Sequence, residues 1–360
     1  MISAPGNLQT HAPTGLDDRV AAMVDRHFHP DHGAPFWIER AKMLGLDARR
    51  AIRCFDDLRL LGDMDPAVLA ARPMRDFVPS SVRHDRLIVV QTGGSTQNAA
   101  WTAFRADEFH AAFVAPFAAA AHHVGFPRGE PWLYIGPSGP HAIGKAAAAL
   151  ATALASSEPF TVDFDPRWAK RLPPGSFALE RYLDHVVSQA TDVLAREEVG
   201  VLFTTPAVLP SLAERMTRSQ RERIRGVHYG GLALDSASLA RSQRNDFPCA
   251  VHLSGYGNTL FGCALELSAA PGRIPAYFPG GDRLVFEVVD EEGRPMRAGE
   301  RGRVRFTRLD ETVLLVRVLE RDEAFFEPPP RGAPVMFTGP GLRDPQPARV
   351  STTIVRRGLY

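Results

Sequence analysis

The stretch VQTGGSTQNAA (residues 90–100) sets two glycines and three hydroxyl residues directly after an apolar run, RLIVV. Consecutive backbone N–H groups and hydroxyl donors hold anions well, and glycine lets the backbone come close. Gly93, Gly94, Ser95 and Thr96 therefore have the composition of a loop that wraps a phosphate. The spacing is neither GxxxxGK[ST] nor GxGxxG, and the same residues also make a plain turn. In LSGYGNTLFG (253–262), Tyr256 can stack on a flat ring and Thr259 can donate to a phosphate; the alternative is an aromatic residue at a tight turn. HYGGLALD (228–235) carries Tyr229 into a double glycine, Gly230 and Gly231, which also has a purely structural use. GPSGPHAIGK (136–145) holds Ser138 and His141 in a loop at the end of a strand-like run. Loops at the carboxyl ends of parallel strands are where such sheets bind ligands, although a lone loop histidine is also an ordinary surface residue. HFHPDHG (27–33) crowds His27, His29, Asp31 and His32 together, but no second ligand cluster follows at regular spacing, so no metal site is expected. There is no GxSxG elbow and no CxxC pair.

These stretches need elements to position them. RLIVVQT (86–92), PWLYIG (131–136), PFTVDFD (159–165), VGVLFTT (199–205) and IRGVHYGG (224–231) read as buried strands. Helices are expected over LDDRVAAMVDRHF, over 36–50, over 106–125 ending at Gly125, and over 144–157, 180–198 and 206–216. Strands alternating with helices predict an α/β core with a largely parallel sheet flanked by helices. From about residue 250 the pattern changes to apolar–polar alternation between turns, among them DEEG before GRP, which predicts a β-rich, antiparallel subdomain. The expected organisation is a leader and first helix (1–34), the α/β core (35–248), the β-rich subdomain of the same large domain (249–330) and a tail (331–360).

The 360 residues are 44% hydrophobic and 23% charged, with a net charge of +1. That balance leaves no electrostatic footprint for nucleic acid or an acidic membrane surface. No window approaches the roughly 18 apolar residues of a membrane span, and the first residues lack the pattern of a signal peptide. Three scattered cysteines, Cys54, Cys249 and Cys263, make no disulfide framework and fit a reducing cytoplasm; buried thiols are expected at 249 and 263. The only lysines are Lys42, Lys145 and Lys170.

In this order and at these separations the stretches resemble the adenylate-forming superfamily, and within it the phenylacetate–CoA ligase-like branch. PFWIERAKMLGLD (35–47) is similar to PFYRERFKEAGID. TGGSTQNAA stands in the place of the phosphate loop TSGTTGKPT, YGGLALD in that of the GGEPL-type segment, and YGNTLFG in that of YGxTEFG. ERGRVRFTRLDETVLLVRVLERD resembles GExGELVVTxL…PLIRYRTxD, and ARVSTTIVRRG resembles the hinge GRSDDMLIIRG. The resemblance implies the large N-terminal domain of that fold and formation of an acyl-AMP from ATP and an aryl or acyl acid, followed by transfer to a thiol. It implies that Gly93, Gly94, Ser95 and Thr96 line the phosphates. Gly230 and Gly231 would flank the adenine, Tyr256 would stack on it, Thr259 would meet the α-phosphate, and Asp322 would bind the ribose. It places His141, with Ser138 and Tyr229, at the acid pocket. Implied partners are a small acid or thioester, a carrier protein as acceptor, and a second copy of the chain, since branch members are often dimers.

The sequence also departs from the pattern. Gln97–Asn98 stands where the loop has GK, Leu260 where the family has the glutamate that holds Mg²⁺, and Ser351–Thr352 where the hinge has aspartates. A leucine cannot ligate a hard cation, and Glu266 lies six residues further on. The chain is expected to stop at the hinge, without the C-terminal lid domain and its lysine. Three readings follow: a ligase with a degraded ATP/Mg²⁺ site; an ATP-independent enzyme that transfers, condenses or cyclises a pre-activated acid, with His141 as base; and a non-catalytic binding protein.

Overall fold

The computed structural model describes residues 15–93, 99–206, 208–230 and 236–348. Of the expected site residues, Gly94, Ser95, Thr96 and Gly231 fall outside these, as do Gln97, Asn98, Ser351 and Thr352.

β1 (Ile88–Gln91) and β2 (Trp101–Phe104) pair antiparallel as a separate ribbon. RLIVVQT is therefore not a strand of the main sheet, and Val89 on its outer face is 38% exposed. The other strands are β3 (Trp132–Gly136), β4 (Phe160–Asp163), β5 (Val201–Thr204), β6 (Gly226–Gly230), β7 (Val251–Asn258), β8 (Gly262–Glu266), β9 (Ala276–Pro279), β10 (Leu284–Val289), β11 (Arg301–Leu309), β12 (Leu314–Glu327) and β13 (Gly341–Pro347). They form one sheet in the order β10-β11-β12-β13-β9-β8-β7-β6-β5-β3-β4. β4, β3, β5, β6 and β7 run parallel. From β7 onward every neighbour is antiparallel. β7 is thus the seam between the expected α/β core and the expected β-rich region.

Alternation along the parallel strands sends side chains to opposite faces. Trp132, Tyr134 and Phe203 pack with the helices Ala115–Val124 and Ala142–Ala153 on one face. Leu133, Ile135, Leu202 and Val227 pack with the helix Phe177–Arg196 on the other. Burial on both faces explains why these strands read as continuous apolar runs. Ser176 caps the long helix, its Oγ accepting from the N–H of Leu179 at 3.3 Å.

Two expected helices are interrupted. Residues 36–50 divide into Pro35–Leu44 and Ala48–Ala51, because Gly45 adopts a left-handed conformation (φ +61°) that ends the first. The 106–125 helix does end at Gly125 (φ +71°), but contains a π-helical turn at His110–Val114. Pro116 accounts for the turn: it has no N–H to give the carbonyl of Ala112 four residues earlier. That carbonyl faces Gly262 (φ +107°), where an added Cβ would lie 2.6 Å from the Ala112 oxygen. Gly262→Ala therefore combines a strained φ with a backbone clash, and is expected to cost about 2–3 kcal/mol in chemical denaturation.

The segment from Arg308 to Leu314 anchors the first hundred residues. Leu309 O accepts from Arg19 Nε (2.9 Å), Asp310 O from His27 Nε2 (2.8 Å) and Leu314 O from the Trp37 indole (3.1 Å). Arg105 Nη1 donates to Glu311 (2.8 Å), and the Thr312 N–H to Glu108 (2.9 Å).

Candidate functional site

Tyr256 lies on β7 and Asp322 on β12. Four strand steps separate these strands in the sheet, about 19 Å if it were flat. Yet Tyr256 Oη donates to Asp322 Oδ2 at 2.9 Å. The antiparallel half therefore curls round until β12 faces the end of β7. Two residues on, Asn258 Nδ2 donates to Glu320 Oε1 at 2.7 Å. The same curl thus makes two parallel contacts, Tyr256–Asp322 and Asn258–Glu320. The Tyr256 ring packs near Phe261 and Tyr277, each 6.0 Å between centroids, and Phe286 at 6.2 Å.

The electrostatics here are unusual. Burial, and then the charge of Asp322, push the Glu320 carboxyl up to about 7. Asp322 is also raised by burial, against the hydrogen bond from Tyr256. Burial and Asp322 raise the Tyr256 phenol well above its usual value, so it stays a donor.

Gly230 ends β6 beside this cluster and pairs with Gly255 on β7. A Cβ on Gly230 would come within 3.4 Å of the Gly255 carbonyl, while the place of a Cβ on Gly255 is already taken by Cys263 Sγ at 2.7 Å. Thr259 is half-buried in the β7–β8 turn, which Asn258 Oδ1 closes by accepting from the Leu260 N–H at 2.9 Å. Gly93 is at the end of the described part of the β1–β2 loop. Thr92 and Ala100 close that ribbon: Thr92 N–H donates to Ala100 O (2.9 Å) and Ala100 N–H to Thr92 Oγ1 (3.0 Å).

A buried arginine pair fixes the turn after Asn258. Arg308 Nη1 donates to Leu260 O (2.9 Å) and Thr102 Oγ1 (3.0 Å), and its Nη2 to Ala103 O (2.7 Å). Arg283 Nη1 donates to Phe261 O at 2.6 Å. Asp310, 1% exposed, accepts from Arg283 at 2.5 and 3.0 Å and from Arg308 at 2.6 Å. β2 and the YGNTLFG turn are thereby locked to the end of β11.

Ser138 and His141 form a second locus, at the carboxyl end of β3. Ser138 N–H donates to Asp163 Oδ1 (2.9 Å), Tyr134 Oη to Pro137 O (2.9 Å) and Gln91 N–H to Pro140 O (2.8 Å). The loop is thus tied to both β4 and the β1–β2 ribbon. His141 starts the helix Ala142–Ala153 and is 6% exposed. Tyr229, expected at the acid pocket, lies in the core on the face of Leu133 and Ile135, 1% exposed, with burial raising its phenol. The pleat of β6 turns it away from solvent.

Neither position weighed for Mg²⁺, Leu260 or Glu266, presents an uncommitted carboxylate. Leu260 is 6% exposed and has its carbonyl on Arg308. Glu266, 1% exposed, takes Arg273 Nε (2.7 Å) and Nη2 (2.6 Å), and Ser254 Oγ (2.5 Å) and N–H (3.0 Å). These two positions do not fit a Mg²⁺ ion. Among the described residues no three His, Cys, Asp or Glu side chains gather to hold a metal. His27 is core, held at about 4 by burial, while His29 and His32 stack on each other at 4.9 Å. Burial pushes the Cys263 thiol up to about 12; Cys249, expected buried, is exposed.

No protein-family model and no curated protein matches the chain. Solved structures do. A 2-hydroxyisobutyryl-CoA ligase in the postadenylation state, in complex with R3-HIB-AMP, superposes with a TM-score of 0.66 at 19% identity, covering 91% of this chain and 66% of that one. The same ligase with 2-HIB-AMP and CoA in the thioesterification state gives 0.66 at 17% identity, over 92% and 67%. The chain has the adenylate-forming fold. It spans about two thirds of the ligase's length. Asn258, Glu320, Asp310 and the two buried arginines border the candidate site, and motif reading passes over them. Asn258 lies two positions from Tyr256 on the regular strand β7, which is the signal that would have found it; β12 is bulged between Leu319 and Glu323, so alternation does not place Glu320. Among the described residues no helix is long and apolar enough to cross a membrane.

Proposed function

We propose that the protein is an adenylate-forming ligase of the phenylacetate–CoA ligase-like branch, acting on an aryl or acyl acid. The observation that carries this reading is the contact between Tyr256 and Asp322 beside Gly230, at the end of β6. An aromatic ring, a carboxylate and an open backbone at one place suit a purine, a ribose diol and the close approach of a flat ligand. ATP is the substrate: an oxygen of the acid attacks the α-phosphorus, the bond to the bridging oxygen breaks, and pyrophosphate leaves. The acid lies toward Ser138 and His141, and the acyl group passes from AMP to a small thiol or a carrier-protein thiol. The chain's part is to hold acid and phosphate in line.

A second reading is favoured by one set of contacts. Leu260 and Glu266 offer no free oxygen to a cation. Loss of one such electrostatic contact costs about a hundredfold or more in rate. That suits transfer of an acyl group already activated elsewhere, with His141 as base.

Acid-dependent ATP–pyrophosphate exchange over a panel of aryl and acyl acids separates the two. Exchange, slow but stimulated by one acid class, is the expected result. Absence of exchange together with transfer from acyl thioesters without ATP would establish the second reading instead. Absence of both, with no nucleotide binding, would overturn both.

A further inference from the structure

Arg308, on β11, joins the two stretches expected to meet a phosphate. Its Nη1 donates to Thr102 Oγ1 on β2 (3.0 Å) and to Leu260 O in the β7–β8 turn (2.9 Å). Its Nη2 donates to Ala103 O, also on β2, at 2.7 Å. One guanidinium thus bridges the β1–β2 ribbon to the turn that carries Thr259. We propose that Arg308 is a positioning residue, which sets the ribbon's loop and the Thr259 turn at the spacing needed to hold one phosphate group of a bound nucleotide between them. This deepens the function proposed above and rests on it, since it takes the phosphates to lie between that loop and Thr259.

Each end of the bridge is next to an expected phosphate contact. On the ribbon side, Thr92 and Ala100 close the neck of the loop, and Thr102 is two residues along β2 from that neck. On the turn side, Leu260 follows Thr259 directly, and both of its backbone groups are held: the N–H by Asn258 Oδ1 (2.9 Å) and the carbonyl by Arg308. Arg283 Nη1 holds the next carbonyl, that of Phe261, at 2.6 Å. The ribbon is a sheet of its own, so no ladder of strand hydrogen bonds fixes it against β7. Its alignment with the turn is therefore left to tertiary contacts, and Arg308 supplies three of them.

The guanidinium suits this task. It is a planar fork whose donors point at fixed angles. Nε is spent on Asp310 Oδ2 at 2.6 Å, and the group lies over the Phe104 ring, 3.8 Å from its centroid. Phe104 in turn meets Phe109 at 5.9 Å and Phe113 at 5.7 Å, both edge-on. Arg308 is fully buried, so it acts through the two backbones and not by touching a ligand. The expected base and ribose contacts, Tyr256 and Asp322, are joined by a separate hydrogen bond. The two ends of the site can therefore be perturbed separately: a fault at Arg308 falls on the phosphate and spares the nucleoside.

The test is calorimetric binding of AMP and of adenosine to wild type, Arg308→Lys, Thr102→Val and Trp37→Phe. Lysine keeps a charge near Asp310, but its ammonium ends one bond short of Nη1 and cannot lie flat on Phe104. Arg308→Lys should weaken AMP by about tenfold relative to adenosine, the order of one hydrogen bond to a charged group. Thr102→Val removes one ribbon bond and should shift the same ratio a few-fold in the same direction. Trp37→Phe removes the bond to Leu314 O and leaves the bonds of Arg308 in place. It should lower the denaturation midpoint without moving the ratio, which separates positioning from general loss of stability. Equal losses for AMP and adenosine in Arg308→Lys, or no loss for AMP, overturn the positioning role and leave the nucleotide site standing. A ratio shifted as far in Trp37→Phe as in Arg308→Lys overturns it too. If Arg308→Lys misfolds, Thr102→Val decides, and an unchanged ratio there overturns the role. No binding of either ligand to wild type overturns the nucleotide site and the role with it.

Discussion

Asp310→Asn is expected to lower stability by about 3–5 kcal/mol in urea denaturation at pH 7, the range for breaking a buried ion pair from one side. Asp310 is 1% exposed and is the shared counter-ion of Arg283 and Arg308, themselves almost wholly buried. An asparagine keeps the shape but leaves two buried guanidinium charges without their counter-ion. The arginines cannot swing out, since Arg308 also holds Leu260, Thr102 and Ala103. Burial alone would raise the Asp310 carboxyl, but the two arginines outweigh it and hold it at about 2. A depressed carboxyl contributes stability that is complete above its unfolded value near 3.8 and is lost as pH falls through about 2. His27 adds to the acid limb. Burial lowers its ring to about 4, so its stability is present above about 6.5 and declines as pH falls toward 4. The wild-type acid limb should therefore begin near pH 6 and continue at a similar slope below pH 4, and in Asp310→Asn the part below pH 4 should be missing. A loss below 1 kcal/mol would show that the network does not hold the turn.

Asp322→Ala should weaken nucleotide binding by roughly 10- to 100-fold, the worth of hydrogen bonds to a charged group. If that carboxylate meets the ribose, the loss appears equally with ATP, AMP and adenosine, because all three carry the same diol. Tyr256→Phe should cost only a few-fold, since the ring that would stack on the base survives and only the bond that steadies Asp322 is lost. The two variants together should cost less than the sum of their separate free energies, because each removes a partner of the same contact. Unchanged adenosine binding in Asp322→Ala would remove Asp322 from the site.

The parts of the fold that repeat locally were legible. Strands β3, β5 and β6 carry runs of apolar residues because both faces are covered, and the helices between them keep helical spacing. Gly125 stops its helix where the sequence places the stop. What was not legible depends on partners far along the chain. Nothing near Pro116 reveals that the carbonyl of Ala112 will meet Gly262. Nothing near Glu266 reveals that Arg273 folds back onto both its oxygens, and the ribbon β1–β2 looks like one more sheet strand until its pairing is known. In the site, Tyr256 and Asp322 could be named separately from their motifs. Their contact could not, because it arises from the curl of the sheet, which no local stretch encodes. Glu320 was missed for a related reason: a glutamate on a strand looks like a solvated residue until a neighbouring carboxylate and the loss of water change its chemistry.

The hydrogen bonds from Arg19, His27, Trp37 and Arg105 to residues 309–314 span between 206 and 290 positions of sequence. Their partners do not exist while the first hundred residues emerge from the ribosome. At about 5–20 residues per second, the amino-terminal segment waits roughly ten to sixty seconds for them. The β1–β2 ribbon shares that delay, because Arg308 is what bonds Thr102 and Ala103. The central parallel strands can assemble meanwhile from closer neighbours. A nascent chain halted before residue 308 should display the amino-terminal segment and the ribbon as protease-sensitive arms on a partly folded sheet.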